Sequence, residues 1–308
     1  MNNESKRHHY IPQFIIRYFS KDESGLINYF DIKRKCFLNE DAKNVFMFEN
    51  LYRDDINNPK DPLKIERDFA KYESEVAPLF EKFQKGTDIV LSTKENSSVL
   101  LFLTLLQLRS VYNLKYFGDE PPEEVINLLK GSQPDGDFVS MWRRNLSYVV
   151  NCRSIEEVEL NENIDEIFKN IIFYKTFGLL GMYLIVAERR GPEDFFLSDT
   201  YPILMHGEID ENIKLPLMAA YPISPSRVLI AACQGIEQTP KEVRMFDKSF
   251  YSRPYFTNNN KDLIIHVRKI YEHDIKTLNN SIMAHTKQGV VVLDKNRFFV
   301  HIRDYLKQ

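Results

Sequence analysis

Five polar residues that lie in otherwise apolar parts of the sequence have side chains that could do chemistry together. They are one imidazole, three carboxylates and one guanidinium: His9, Glu66, Glu73, Asp199 and Arg109. An imidazole with carboxylates suits Mg²⁺ or Mn²⁺, and an arginine can stabilise the charge of a phosphate. Because buried polar groups need partners, we expect these five side chains to meet in one cluster.

The first of these residues, His9, comes just before Pro12 and an apolar-periodic run. Proline suits the first turn of a helix, so the pattern predicts a helix with His9 at its N-terminal end. The helix dipole there tends to keep an imidazole neutral, and a neutral imidazole can be a base or a metal ligand. The alternative is that Lys6–His9 is a solvated basic end.

Two glutamates border the apolar stripe of the next helix, which the periodicity predicts over residues 63–85. Glu66 and Glu73 are seven residues apart, so they share one face and are separated by about 10 Å along the axis. Their border position allows both carboxylates to point inward. The alternative is a solvated acidic pair.

Arg109 and Asp199 stand at the ends of predicted elements. Arg109 follows the apolar run Val99–Leu108, and a buried arginine must be paired, for which Glu66 or Glu73 is the natural partner. The alternative for Arg109 is a brace between two helices. Asp199 ends a strand, where its alternative role is to form an Asx turn.

The elements that must position these residues follow from periodicity and turn signals. Ser92 with Glu95 predicts a capping box at the start of a helix that runs to about residue 116. Other predicted elements are the hairpin Leu26–Asp31 with Lys35–Asn39, a strand over 44–48, helices at 121, around Trp142, over 155–160, 164–180 and 261–285, and strands over 183–187, 195–204, 217–220, 227–232 and 289–293. Residues 297–306 fit either a strand or a helix.

Composition describes a globular protein with no basic field. The formal net charge is -3 and three cysteines occur without a CxxC motif, which fits a reducing cytosol. The polar start has no signal-peptide pattern, and Val99–Leu108 is too short to span a bilayer. We therefore expect a cytoplasmic protein without a membrane partner; its oligomeric state is open.

The order of the elements predicts an α+β fold, in which a helical core packs against an N-terminal β-hairpin and a C-terminal mainly antiparallel sheet. We expect one unit over residues 1–308. Its parts are the N-terminal motif and hairpin (8–60), the helical core (62–182, with an insert over 117–162) and a mixed part (183–308).

Several short motifs resemble a bacterial and phage family, domain of unknown function 4238. The chain matches its opening with His9-Tyr10-Ile11-Pro12-Gln13-Phe14 and its helix pattern with Ile65-Glu66 and Glu73. Gln107-Leu108-Arg109, Ser198-Asp199 with Pro202, and Ser224-Pro225 match later motifs. One extra residue separates Asp199 from Pro202 relative to the family pattern. The resemblance covers most of the chain and implies no activity.

These residues lead to one main hypothesis of function, a metal-dependent phosphodiesterase or nuclease. In it His9, Glu66, Glu73 and Asp199 are ligands of Mg²⁺ or Mn²⁺, His9 is alternatively a base, and Arg109 clamps the phosphate of a nucleic acid or nucleotide. The resemblance to phage proteins associates such an enzyme with toxins or phage defence.

Two other hypotheses remain open. The first is a non-catalytic module that binds a nucleotide or a protein, with a structural polar cluster. The second is metal-free acid–base catalysis by His9 and a carboxylate. Convergence of the ligands around open space would favour an enzyme, whereas Arg109 filling that space would favour the structural role.

Overall fold

The computed structural model describes residues 6–22, 24–109, 138–170, 182–210, 213–239, 245–251, 253–257 and 262–305. Its strands are β1 (Arg7–His9), β2 (Leu26–Asp31), β3 (Cys36–Asp41), β4 (Met47–Glu49), β5 (Asp88–Ser92), β6 (Met182–Arg189), β7 (Leu197–Ser198), β8 (Ile203–Asp210), β9 (Ile213–Ser224), β10 (Arg227–Cys233), β11 (Tyr255–Phe256), β12 (Asp262–Ile270) and β13 (Gly289–Val292). Its helices are α1 (Gln13–Arg17), α2 (Lys64–Lys85), α3 (Thr93–Leu108), α4 (Phe138–Val149), α5 (Ile155–Leu160), α6 (Glu272–His285) and α7 (Lys295–Tyr305). The mixture confirms the predicted α+β class.

The largest sheet has the order β11-β12-β6-β10-β9-β8, with β5 also paired to β12. Its pairs are antiparallel except β12 with β6, which is parallel. The hairpin of β2 and β3 belongs to a second sheet of order β3-β2-β13-β7. A third sheet pairs β1 with β4, so that His9 lies opposite Met47.

Both faces of the largest sheet are covered, which explains the continuous apolar character of its central strands. On β6, Leu184 and Val186 belong to the core that α2, α3 and α4 share, because alternate residues of a strand point to opposite faces. Ile185 and Ala187 belong to the second core, on the side of α6 and α7. The sheet therefore separates the helical part from the C-terminal helices.

Local sequence signals account for the start of α3. The Ser92 side chain accepts from the Glu95 backbone N–H at 3.2 Å, and a Glu95 carboxylate oxygen accepts from the Ser92 backbone N–H at 2.8 Å. This reciprocal pair is the predicted capping box and satisfies two backbone donors at the helix start. None of the helices in the described residues is long and apolar enough to cross a membrane.

Three predicted elements differ in the structure, and one strand was not predicted. The helix expected over 261–285 begins only at Glu272, and Asp262–Ile270 is strand β12. The strand expected over 44–48 is β4, which pairs with β1 instead of the hairpin. Strand β5 precedes the capping box and was not predicted. Finally, the strand expected over 217–220 is part of the longer β9, which continues through Pro222 to Ser224.

Several predictions lie outside the described residues. They concern the end of the helix from Ser92 beyond residue 109, the short helix at residue 121, and residues 171–180 of the helix over 164–180. The helix around Trp142 and the acidic helix over 155–160 correspond to α4 and α5.

Candidate functional site: a polar cluster around Arg109

Arg109, directly after α3, is the centre of a buried polar cluster. Its side chain is 2% exposed, and its guanidinium carbon lies 4.3 Å from the centre of the Phe69 ring. Nη1 donates to Glu73 Oε1 at 2.6 Å, Nε donates to the Tyr52 hydroxyl at 3.1 Å, and Nη2 donates to the His9 carbonyl. Three directions of the guanidinium are thus occupied by protein acceptors. The neighbouring negative charge raises the pKa of Arg109 against the effect of burial.

His9 lies in β1 and precedes α1, where the sequence predicted it at the start of a helix. Helix α1 has only five residues and begins at Gln13, after Pro12. The His9 ring contacts the Gln13 amide, with Nδ1 and Nε2 of the two side chains 3.3 Å apart. Because His9 lies in a strand, the predicted helix dipole is not the reason for its neutral imidazole.

Burial and, to a smaller extent, the positive charge of Arg109 lower the pKa of His9 from 6.5 to about 4. The backbone carbonyls of Lys43 and Ala42 act in the opposite direction. Its Nε2 atom has no partner of hydrogen-bond geometry among the described residues. His9 is therefore a neutral imidazole near pH 7, as predicted, but the cause is burial beside an arginine.

Glu66 lies two turns before Glu73 on α2, and its carboxyl group is the most perturbed acid of the cluster. Its pKa is raised from 4.5 to about 7, mainly by burial; the positive charge of Arg109 opposes this rise and the negative charge of Glu73 adds to it. Its Oε2 atom is buried and has no hydrogen-bond partner among the described residues. A carboxyl group that changes protonation near neutral pH is a candidate acid or base.

Asp199, which follows β7, is held by backbone groups between α6 and β13. Its carboxylate oxygens accept from the N–H groups of Lys287 and Gln288 at 3.2 Å and from that of Gly289 at 3.4 Å. Burial raises the pKa of Asp199, and these three N–H groups lower it. The carboxylate thus ties the end of one element to the start of another, which differs from both the expected ligand role and an Asx turn.

A metal site needs several ligand side chains that converge on one point. Among the residues the structure describes, no group of three or more His, Cys, Asp and Glu side chains could hold a metal ion. Glu73 and Asp199 have their carboxylates engaged by Arg109 and by backbone N–H groups. Two of the four predicted ligands, Glu73 and Asp199, are thus engaged by other groups of the described chain.

Tyr52 belongs to the cluster and was not among the predicted residues. Its hydroxyl accepts from Arg109, its backbone N–H donates to His8 Nδ1 at 2.9 Å, and its ring stacks on His8 with 5.7 Å between centres. The pairing of β1 with β4 brings residue 52 beside residue 8. Since that pairing joins segments some 40 residues apart, no local pattern indicated it.

The fold and the site define an α+β protein with a buried, arginine-centred polar cluster between its N-terminal strand and two helices. The family model described as protein of unknown function (DUF4238) matches residues 7–296. The chain belongs to this family, as the sequence motifs indicated. A search of curated proteins and a search of solved structures each gave no match.

Proposed function

We propose that this protein is a non-catalytic module that binds a nucleotide or a protein segment, and that the Arg109 cluster holds its fold together. The carrying observation is that Nε, Nη1 and Nη2 of Arg109 each donate to a protein acceptor in a side chain that is 2% exposed. A phosphate clamp must reach its substrate. Arg109 could do so only by breaking three hydrogen bonds and leaving its Phe69 contact.

The charges at the edge of the cluster support the same proposal. The Glu73 side chain is 20% exposed and Glu66 is also partly exposed, whereas Arg109 lies beneath them. A phosphodiester approaching from this side meets carboxylates before it meets the guanidinium. Like charges in contact repel, so phosphate chemistry at this edge requires a bound cation. The described residues contain no group of three or more His, Cys, Asp and Glu side chains that could hold one.

The test compares phosphodiester hydrolysis by the wild type and by Glu66→Gln. The substrate is bis(p-nitrophenyl) phosphate, with Mg²⁺ or Mn²⁺ present, and both proteins are checked by thermal melting. We expect the same background rate for both. Hydrolysis by the wild type that a folded Glu66→Gln variant lacks would overturn the proposal.

A second candidate is the phosphodiesterase or nuclease, acting as a defence or toxin effector. The observation that favours it is that Glu66 Oε2 and His9 Nε2 are buried without hydrogen-bond partners among the described residues. Unsatisfied buried groups are costly, and a catalytic role or a bound ion is one reason to retain them. Calorimetry of Mn²⁺ with the wild type, His9→Ala and Glu73→Ala tests it. Mn²⁺ binding that is lost in both folded variants supports this candidate. No Mn²⁺ binding to the wild type would contradict a metal-dependent mechanism.

A further inference from the structure

A concave site lies about 20 Å from the Arg109 cluster, since it borders Asn96 near the start of α3 and Arg109 follows the end of that helix. The cleft has a volume of about 250 Å³. This is slightly below the usual range of small-molecule sites, about 300–1,000 Å³, so it suits a ligand of modest size. Its described lining combines leucines with one arginine, two aromatic rings and two side-chain amides: Arg253, Tyr183, Phe256, Asn96 and Gln234.

The aromatic wall of the cleft is formed by Phe256 on the short strand β11. Its side chain is 54% exposed although it pairs with the buried Leu263 on β12. The neighbouring Tyr255 is 49% exposed. An exposed ring beside an apolar floor offers a flat surface on which a planar heterocycle can stack.

The cationic group of the cleft is Arg253. Its guanidinium carbon lies 6.0 Å from the centre of the Tyr183 ring, and its side chain is 51% exposed. Its ion pair with Glu237 is 3.4 Å long and joins the half-exposed arginine to a carboxylate whose side chain is 22% exposed. Because half of its side chain is exposed, Arg253 is accessible to a ligand anion, in contrast to the buried Arg109.

The polar edge of the cleft has Asn96 from α3 and Gln234 from the turn after β10. A side-chain amide presents one acceptor and two donors. That combination matches the adjacent N7 acceptor and N6 donor of adenine, which asparagine and glutamine bind in a bidentate manner. The cleft thus offers one group for each part of an adenine nucleotide: ring face, ring edge and phosphate.

We propose that this cleft binds an adenine nucleotide, with the base stacked on Phe256, its edge toward Asn96 and Gln234, and the phosphate on Arg253. The inference rests on the proposed function, because it names the ligand and the place of binding for a module that does not turn its ligand over.

The test is calorimetric titration of AMP and adenosine into the wild type, Arg253→Ala and Phe256→Ala. The wild type should bind AMP about tenfold more tightly than adenosine, because a charge-assisted hydrogen bond to the phosphate adds roughly that factor. Arg253→Ala should bind the two ligands equally. Phe256→Ala should weaken both by about tenfold, which is the loss typical of one base–aromatic stack.

Matched controls come from surfaces away from the cleft. Arg190 is an exposed arginine whose guanidinium carbon lies 5.4 Å from the centre of the Tyr271 ring, and Phe299 is 53% exposed. Arg190→Ala and Phe299→Ala should bind AMP like the wild type. Thermal melting of all four variants verifies that each is folded.

The outcomes separate this inference from the proposed function. AMP binding that neither cleft variant changes would overturn the site and leave the binding module standing. No AMP binding to the folded wild type would overturn the inference, and the phosphodiester assay would still decide between module and enzyme. Hydrolysis that depends on Glu66 would overturn the module even if AMP binds in the cleft.

Discussion

Arg109 and Glu73 form an ion pair of 2.6 Å in which the arginine side chain is 2% exposed and the glutamate side chain 20%. The pair joins the end of α3 to the middle of α2. Because Arg109 is fully buried, the main effect of the pair is to prevent an unpaired charge in the core, and its net attraction matters less. Without Glu73, the Arg109 guanidinium would remain in the core with one donor that lacks an acceptor.

Glu73→Gln should therefore lower the free energy of unfolding by about 3 kcal/mol, near the lower end for broken buried pairs, because Glu73 retains some contact with water. Urea denaturation at pH 7 measures this. The matched control on the same helix is Glu75→Gln, whose ion pair with Arg153 is more exposed, with Glu75 at 42%. It should cost less than about 1 kcal/mol. Equal losses in the two variants would contradict the bracing role of Arg109.

Glu66 and His9 are expected to give opposite pH dependences of stability. The pKa of Glu66 is raised to about 7, so its contribution is fully present below pH 4.5 and is lost as the pH rises through 7. The pKa of His9 is lowered to about 4, so its contribution is present above pH 6.5 and is lost as the pH falls through 4. Each amounts to at most about 3 kcal/mol, and in the wild type the two slopes largely cancel.

Single substitutions should expose each slope. Relative to the wild type, Glu66→Gln should gain stability as the pH rises from 4.5 to 7, and His9→Asn should gain stability as the pH falls from 6.5 to 4. Urea denaturation at half-unit pH steps gives both curves. The double variant should lack both slopes. A pH-independent difference between Glu66→Gln and the wild type would show that the Glu66 carboxyl group is not perturbed as described.

Local signals in the sequence were sufficient for elements whose cause is local. The hairpin of β2 and β3, the long amphipathic helix α2 and the Ser92–Glu95 capping box depend on neighbouring residues, and all three are present. The helix prediction was wrong for Asp262–Ile270 because its apolar residues fit both a helix and a strand. Pairing with β5 and β6 makes this segment a strand. Tyr271, directly after that strand, is the N-cap residue of α6.

The site was predictable only as a set of side chains. The ion pair of Arg109 with one of the two helix glutamates followed from the rule that a buried arginine needs a partner, and Glu73 fills that role. The other acceptors of Arg109 are the Tyr52 hydroxyl and a main-chain carbonyl. Main-chain partners have no sequence signature, and the same holds for the three backbone donors to Asp199. Patterns of residue type therefore indicated the side chains of the cluster but not the backbone groups that engage Arg109 and Asp199.

Position 289, at the start of β13, is expected to have no room for a residue larger than glycine. A Cβ atom there would overlap the ring of Tyr29, which pairs nearby on β2. Gly289→Ala should lower the melting temperature by several degrees, since overpacking costs about 1–3 kcal/mol. Tyr29→Ala in the same chain should relieve the clash, so the loss caused by Gly289→Ala should be much smaller in that background. Additive losses in the double variant would contradict this account of the glycine.

Asp199→Asn separates a structural carboxylate from a metal ligand. Both oxygens of Asp199 accept backbone N–H groups of Lys287, Gln288 and Gly289, whereas an asparagine offers one oxygen and turns an NH₂ group toward the same donors. We expect a loss of about 1.5–3 kcal/mol in the free energy of unfolding at pH 7, the range for hydrogen bonds to a charged group.

The neighbouring Ser198 supplies the control for Asp199. Its hydroxyl accepts a single neutral hydrogen bond from the Thr200 N–H at 3.2 Å, so Ser198→Ala should cost only about 1 kcal/mol. The two proteins are compared by urea denaturation with and without Mn²⁺. A structural Asp199 predicts a larger loss for Asp199→Asn that Mn²⁺ does not alter. A wild type that Mn²⁺ stabilises, with that stabilisation absent in Asp199→Asn, would instead return Asp199 to the ligand role that its position in the sequence first suggested.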